Sequence, residues 1–193
     1  MQKGKVSKIR PTQAVVGFRE VEEKRAHLTA LSPKKLDEYL RSHPIPCVLG
    51  PGEHLHLVDH HHLGLALTLE RHDECYFDVL HNLSTIPENK FHAVLLALDL
   101  LYLRGPDGKP IPLYRLPQHI ADLQDDPYRS LAGFVRARGG YNKVPVPYSE
   151  FAWAEFFRAR VDLDDWDVAV GAALALSVSA EACHLPGYIG GIA

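Results

Sequence analysis

The stretch from His54 to Arg71, HLHLVDHHHLGLALTLER, limits the fold more than any other part of the chain, because it drives a strand straight into a helix through a polar hinge. His54 to Val58 reads as a short strand, and Leu63, Leu65, Ala66, Leu67 and Leu69 supply a helix that is apolar on most of its faces. Such a helix has to lie in the core. Asp59, His60, His61 and His62 then fall at its N-terminus, with Asp59 as the expected N-cap. Backbone N–H groups and the positive end of the helix dipole favour an anion there, such as phosphate or carboxylate.

Six of the twelve histidines (54, 56, 60, 61, 62 and 72) lie within this stretch or one residue beyond it. Near neutral pH an imidazole can exchange a proton, bind an anion or ligate a metal. A purely structural alternative stands beside these roles, in which Asp59 caps the helix and the histidines satisfy backbone groups.

The flanks extend the same alternation of strands and helices. Lys5 to Arg10 reads as a first strand running into Pro11-Thr12-Gln13, since Pro11 biases Arg10 towards extended backbone. Phe18 to Leu31 is a highly charged helix whose acidic run reads as a solvated face; Lys24 is set apart as a cation able to fold over the hinge. Ser32-Pro33 opens a second helix ending near Ser42, Ile45 to Leu49 is a strand, and Gly50-Pro51-Gly52 turns the chain into the central one. Cys75 to Leu83 has strand composition, and Thr85 with Glu88 fits a capping box before Phe91, Val94, Leu95 and Leu98. Pro110 to Leu116 reads as a hairpin arm or irregular strand.

From residue 117 the composition turns helical. Asp126 caps a helix begun by Pro127 and closed by Gly139-Gly140, with Arg129 and Arg136 close together on one face and available to an anion. Ser149 is expected to cap a helix that buries Trp153, Phe156 and Phe157; Asp164 starts another that runs to about Cys183 before Leu185-Pro186-Gly187-Tyr188. The resulting class is α/β (α+β), with a small mixed-sheet core over residues 1–116 and a helical C-terminal part, 117–193, packed on it as one unit.

With 193 residues, 46% hydrophobic and 23% charged, the chain can bury a substantial core and falls outside the disordered and fibrous classes. A net charge of −3 supplies no general basic field for duplex DNA, so any nucleic-acid contact has to be local. Cys47, Cys75 and Cys183 are widely spaced and odd in number, which fits reduced thiols rather than a disulfide framework or a CxxC zinc site. The opening MQKGKVSKIRPTQ is positive without an apolar h-region, so a cytoplasmic location is the expectation. The longest apolar tract, Val168 to Val178, is about half of the roughly 20 residues a spanning helix needs, which predicts no membrane partner.

Three segments together resemble the ParB/sulfiredoxin superfamily: KIRPTQ (Lys8 to Gln13), PCVLG (Pro46 to Gly50) and LVDHHHLGLAL (Leu57 to Leu67). The wider pattern is most similar to the ParB-like nuclease family, through RPTQxxVGxxxVxxK (Arg10 to Lys24), DDPYRSLAGFVR (Asp125 to Arg136), GGY and the closing LPGY. The resemblance implies a sulfiredoxin-like fold in which the central helix N-terminus cradles phosphate. It does not imply one reaction, because the superfamily holds nucleotide-hydrolysing partition proteins, ATP-dependent sulfinic acid reductases and kinases of free serine. In those kinases the hinge reads DGHHR; here His60 and Leu63 stand at its glycine and arginine, and Gln13 stands where their acidic base would be. The arginine-rich phosphate motif of the partition proteins and the motif cysteine of sulfiredoxin have no counterpart.

The leading expectation is a phosphate- or nucleotide-handling enzyme, for phosphoryl transfer or phosphodiester hydrolysis, with its site at Asp59 to His62. Asp59 would orient the reactants or bind metal, and His61 or His62 would act as general acid/base. Gln13, Lys24, His60 and Arg129 would contact the phosphate or ligand, with Mg²⁺ arriving alongside nucleotide. One alternative is a non-catalytic nucleotide- or DNA-binding module. Another is an enzyme whose Asp59, His60 and His62 ligate Zn²⁺, Mn²⁺ or Fe²⁺.

Overall fold

The computed structural model describes residues 1–191. It divides into two compact units, Met1–Asp125 and Asp126–Ala193.

The first unit is built on a five-stranded mixed sheet. Its strands are β1 (Gln2–Lys5), β2 (Arg10–Pro11), β4 (Ile45–Leu49), β5 (Leu55–Leu57) and β6 (Glu74–Asn82), in the spatial order β1-β6-β4-β5-β2. Pairings β1–β6 and β4–β5 are antiparallel, while β4–β6 and β5–β2 are parallel. A separate parallel pair joins β3 (Val15–Val16) to β7 (Gln124–Asp125).

Strand alternation sends Ile45, Cys47 and Leu57 to one face of the sheet and Val48 to the other. The first face is covered by α1 (Phe18–Thr29), α2 (Pro33–Ser42) and α3 (His61–Leu69), around a core that includes Val21, Leu28, Leu40, Leu63, Leu65, Leu67 and Phe77. Leu63 to Leu67 are all buried, which is why this helix shows no polar stripe. The second face carries α4 (Glu88–Ala97), whose Phe91 and Leu95 close over Val48.

Several boundaries differ from those the sequence suggests, each for a visible reason. The first strand is split: β1 stops at Lys5, and a 3-10 turn at Val6–Lys8 follows because Val6 and Ser7 donate their amides to Asp73. Ser32 sits at the N-cap of α2 as expected, with Pro33 first in the helix. The capping box is not used, since α4 begins at Glu88 with Pro87 at its N-cap and leaves Thr85 upstream. Residues 110–116 form one isolated bridge, Arg104 to Pro110, and a 3-10 turn at Leu113–Arg115. Ile120 and Leu123, which composition groups with the helical part, lie in the core of the first unit, and Gln124 pairs with Val15.

The second unit is helical, with α5 (Pro127–Ala137), α6 (Ser149–Arg158), α7 (Trp166–Ser177) and a 3-10 turn at Ala180–Ala182. Asp126 caps α5 as expected, accepting from the amides of Tyr128 and Arg129. In α6 the N-cap is Tyr148 in the left-handed region, so Ser149 is the first helical residue and not the cap. Asp165, one residue after the expected start, caps α7 through the amides of Asp167 and Val168, and the helix ends at Ser177 rather than near Cys183. Trp153 is fully buried, stacked on Tyr141 at 4.3 Å between ring centroids, with its indole N–H donated to the Pro186 carbonyl at 2.8 Å. Gly187 lies at φ +76°, and a Cβ there would stand 2.0 Å from the Asn142 carbonyl oxygen, so the LPGY turn requires glycine.

Among the described residues all three cysteines are free; burial pushes the Cys47 and Cys75 thiols up to about 12, and Cys183 is exposed. Among the described residues no helix is long and apolar enough to cross a membrane.

Candidate functional site

β5 ends at Leu57, Val58 donates its amide to the Pro46 carbonyl, and three residues after Val58 α3 begins at His61. The hinge that the sequence marks out is therefore real, but its parts are arranged differently. His60, not Asp59, occupies the N-cap, at φ 63° and ψ 28°. Asp59 is exposed, and its carboxylate folds back to accept the His60 amide at 2.6 Å. No side chain caps α3, whose first helical bond runs from the Gly64 amide to the His60 carbonyl. The N-terminus of a buried nine-residue helix thus faces the hinge with its dipole uncompensated by a capping side chain.

The three consecutive histidines point to different partners. His61 is 3% exposed and its Nε2 accepts the Thr12 amide at 3.3 Å. The Leu57 carbonyl accepts both from the His61 ring and, at 2.8 Å, from the Thr12 hydroxyl. An Nε2 that accepts must be unprotonated, so the ring is neutral and its tautomer fixed. Burial, with help from the His62 and His60 rings and against the pull of Asp59, pushes its pKa down to about 3. Where the sequence suggests a general acid/base, the His61 ring nitrogens tie Thr12 to the end of β5, and burial holds its protonation far below neutral pH.

His62 turns towards α1. Its Nε2 lies 3.1 Å from the Gly17 amide and 3.2 Å from the Glu20 carboxylate, and both side chains are largely buried. The one nitrogen accepts from Gly17 when unprotonated and donates to Glu20 when protonated. Glu20 was invisible as a partner in sequence, where it belongs to a charged run and stands 42 positions from His62. The N-terminus of α1 is further fixed by Asp125, which accepts the Phe18 amide at 2.8 Å.

Gln13 is buried and donates its side-chain amide to the Val15 carbonyl at 2.7 Å, while its backbone bridges to Tyr102. Lys24 is partly buried on α1 and, spaced three from Val21 and four from Leu28, shares their face, the one packed on α3. Arg25 beside it is committed to Glu22 and to Glu70 at the end of α3. Arg129 belongs to the second unit, where it and Arg136 share the Glu150 carboxylate. The two arginines that looked available to an anion have one within their own unit.

Among the described residues no three His, Cys, Asp or Glu side chains converge as a metal site. Asp59 faces the His60 amide and His62 faces Glu20, so the expected set of Asp59, His60 and His62 is not assembled.

The hinge and sheet carry a likeness to known proteins. The crystal structure of protein Atu1540 from Agrobacterium tumefaciens superposes with a TM-score of 0.92 at 40% sequence identity, over 98% of this chain and 96% of that one. No curated protein matches the sequence. The profile of a family described as "Putative ParB-like nuclease" matches residues 3–159, a span that holds the first unit from its third residue, the hinge and the start of the second unit. This chain belongs to that ParB-like family.

Proposed function

We propose that the chain is a phosphate-handling enzyme acting on a nucleotide or nucleic acid, with the phosphate seated at the N-terminus of α3. The observation that carries this reading is the hinge itself: a left-handed His60 opens a buried helix that no side chain caps, and the Asp59 carboxylate accepts the His60 amide instead of an amide of the first turn. Membership of a ParB-like nuclease family supports a nucleic-acid-related role.

In this reading His60 and the first turn of α3 hold the phosphate; Lys24 is left out, because it neighbours Arg25, which meets Glu70 at the opposite end of α3. Glu20 and His62 act as an acid/base dyad: the carboxylate holds Nε2, and proton exchange with the substrate falls to Nδ1. Asp59 is the exposed carboxylate able to meet Mg²⁺ carried in by nucleotide phosphates. Arg129 is left out, since Glu150 neutralises it.

A binding module without turnover is the second reading, favoured by the structural commitment of His61, which removes one of the histidines available for proton transfer. Phosphorus NMR of the protein with pooled nucleotides, short oligonucleotides and Mg²⁺, run beside His62→Gln and Glu20→Gln, separates the two. New phosphate species that disappear in both variants support the enzyme. Broadened nucleotide lines without product support the module, and unperturbed spectra refute both.

A further inference from the structure

The α4 face of the sheet carries a second polar cluster, on the opposite side from α3. Arg10 on β2 pairs in register with His56 on β5, which pairs in turn with Val48 on β4, so these three stand in one row. His56 is 5% exposed, packed between Phe91 at 4.6 Å between ring centroids and Gly50, where a Cβ would lie 2.9 Å from the ring. His92 of α4 stands 6.4 Å from it, centroid to centroid.

A buried imidazole ordinarily has a hydrogen-bond partner, and a half-buried guanidinium a carboxylate. Here the His56 ring and the Arg10 side chain make no hydrogen bond or ion pair within the protein among the described residues, and the His56 ring nitrogens keep an opening to solvent through which a ligand can reach them. The charged and titratable groups acting on the cluster are Arg10, His54, His92 and, on His92, Glu88 at the start of α4. Glu88 is exposed, so the buried side of the cluster holds only cationic or neutral donors.

We propose that Arg10, His56 and His92 form a binding site for a small oxyanion, a phosphate or carboxylate group, beneath α4. The guanidinium supplies charge and a planar pair of donors, and the two imidazoles supply N–H groups from the opposite side. The site is independent of phosphate at α3, because β5 directs His56 and Leu57 to opposite faces.

The test is NMR of the whole chain, with the histidine ring resonances assigned through His56→Gln and His92→Gln and with inorganic phosphate and acetate titrated separately near neutral pH. Saturable shifts of the His56 and His92 rings are expected, at least about tenfold weaker in affinity in Arg10→Gln, since one charge-assisted hydrogen bond is worth about that much. Bound anion should also raise the pH at which His56 protonates. Response to phosphate alone identifies a phosphate ester as the natural ligand class, to acetate alone a carboxylate, and to both an unselective oxyanion site. Amides of His61 and His62 in the same spectra report the α3 site separately. No shift of the His56 and His92 rings with either anion, or equal affinity in Arg10→Gln, overturns the proposal.

Discussion

Two buried neutral histidines make the first unit sensitive to mild acid in a way that can be worked out beforehand. Burial lowers His61 from the ordinary value of 6.5 to about 3 and His56 to about 4. Both stabilise the fold fully above 6.5, the unfolded value, and lose that contribution as pH falls, because the unfolded chain then binds a proton that the folded one refuses. The loss for His61 continues down to about 3 and for His56 to about 4. From about pH 7 to about pH 5 each ring costs about 2 kcal/mol, or about 4 kcal/mol together. The carboxylates with lowered values, Asp37, Asp73, Glu74 and Asp107, lose their contribution only at more acid pH, so this window isolates histidine. Tryptophan fluorescence is the wrong probe, since Trp153 and Trp166 both lie in the second unit. Urea unfolding followed by circular dichroism, with amide exchange in α3 as a local check, reads the first. His61→Gln and His56→Gln should each remove about 2 kcal/mol of the pH-dependent difference, whatever they do to stability at neutral pH. A wild-type difference below about 1 kcal/mol, or one unchanged in both variants, would refute the assignment of these rings as buried and neutral.

Asp126 serves two functions that substitution can separate: it caps α5 and meets Arg158 with both oxygens at 2.8 Å. Asp126→Asn keeps a capping acceptor but loses the buried charge, for an expected cost of about 3 kcal/mol, and Asp126→Ala should cost about 1 kcal/mol more, both read by tryptophan fluorescence. Gly50→Ala places a methyl 2.7 Å from Phe91 and 2.9 Å from His56, so a loss of about 1 to 3 kcal/mol is expected in thermal unfolding, along with a shifted His56 ring resonance. A thiol-reactive dye should label Cys183 rapidly in the native protein and reach Cys47 and Cys75 only on unfolding, because burial holds those two as thiols.

Much of the fold was legible because its signals are local. Pro33 after Ser32, Pro127 after Asp126 and the unbroken apolar run of α3 each fix an element within a few residues. The failures came where a distant partner decides. Lys5 to Arg10 looks like one strand until the Asp73 backbone and side chain claim Val6 and Ser7. Ile120 and Leu123 look like the approach to a helix, yet the first unit needs them as core, with Gln124 beside them pairing to Val15 from the other end of that unit. Tyr148 takes a left-handed N-cap next to a serine better suited to capping, so the local preference of Ser149 does not decide where α6 starts.

The strand-to-helix hinge was legible in the sequence but the partners of its histidines were not, and helix geometry accounts for the difference. Successive residues on a helix project about 100° apart, so adjacent histidines at its start face different neighbours. His60 is taken out of the helix by its left-handed backbone, His61 points into the sheet towards Thr12, and His62 swings round to α1 and Glu20. A histidine cluster in sequence therefore becomes a set of separate devices: an opening for the helix N-terminus, a neutral brace for the Arg10-to-Gln13 loop, and a ring held by a carboxylate. On the proposed reading, substituting His61 disturbs phosphate chemistry by loosening the segment around Thr12, and substituting His62 disturbs it by altering proton exchange. A conservative His61→Gln that keeps an amide to bond Thr12 should therefore preserve more function than the same change at His62, an order opposite to what burial alone suggests.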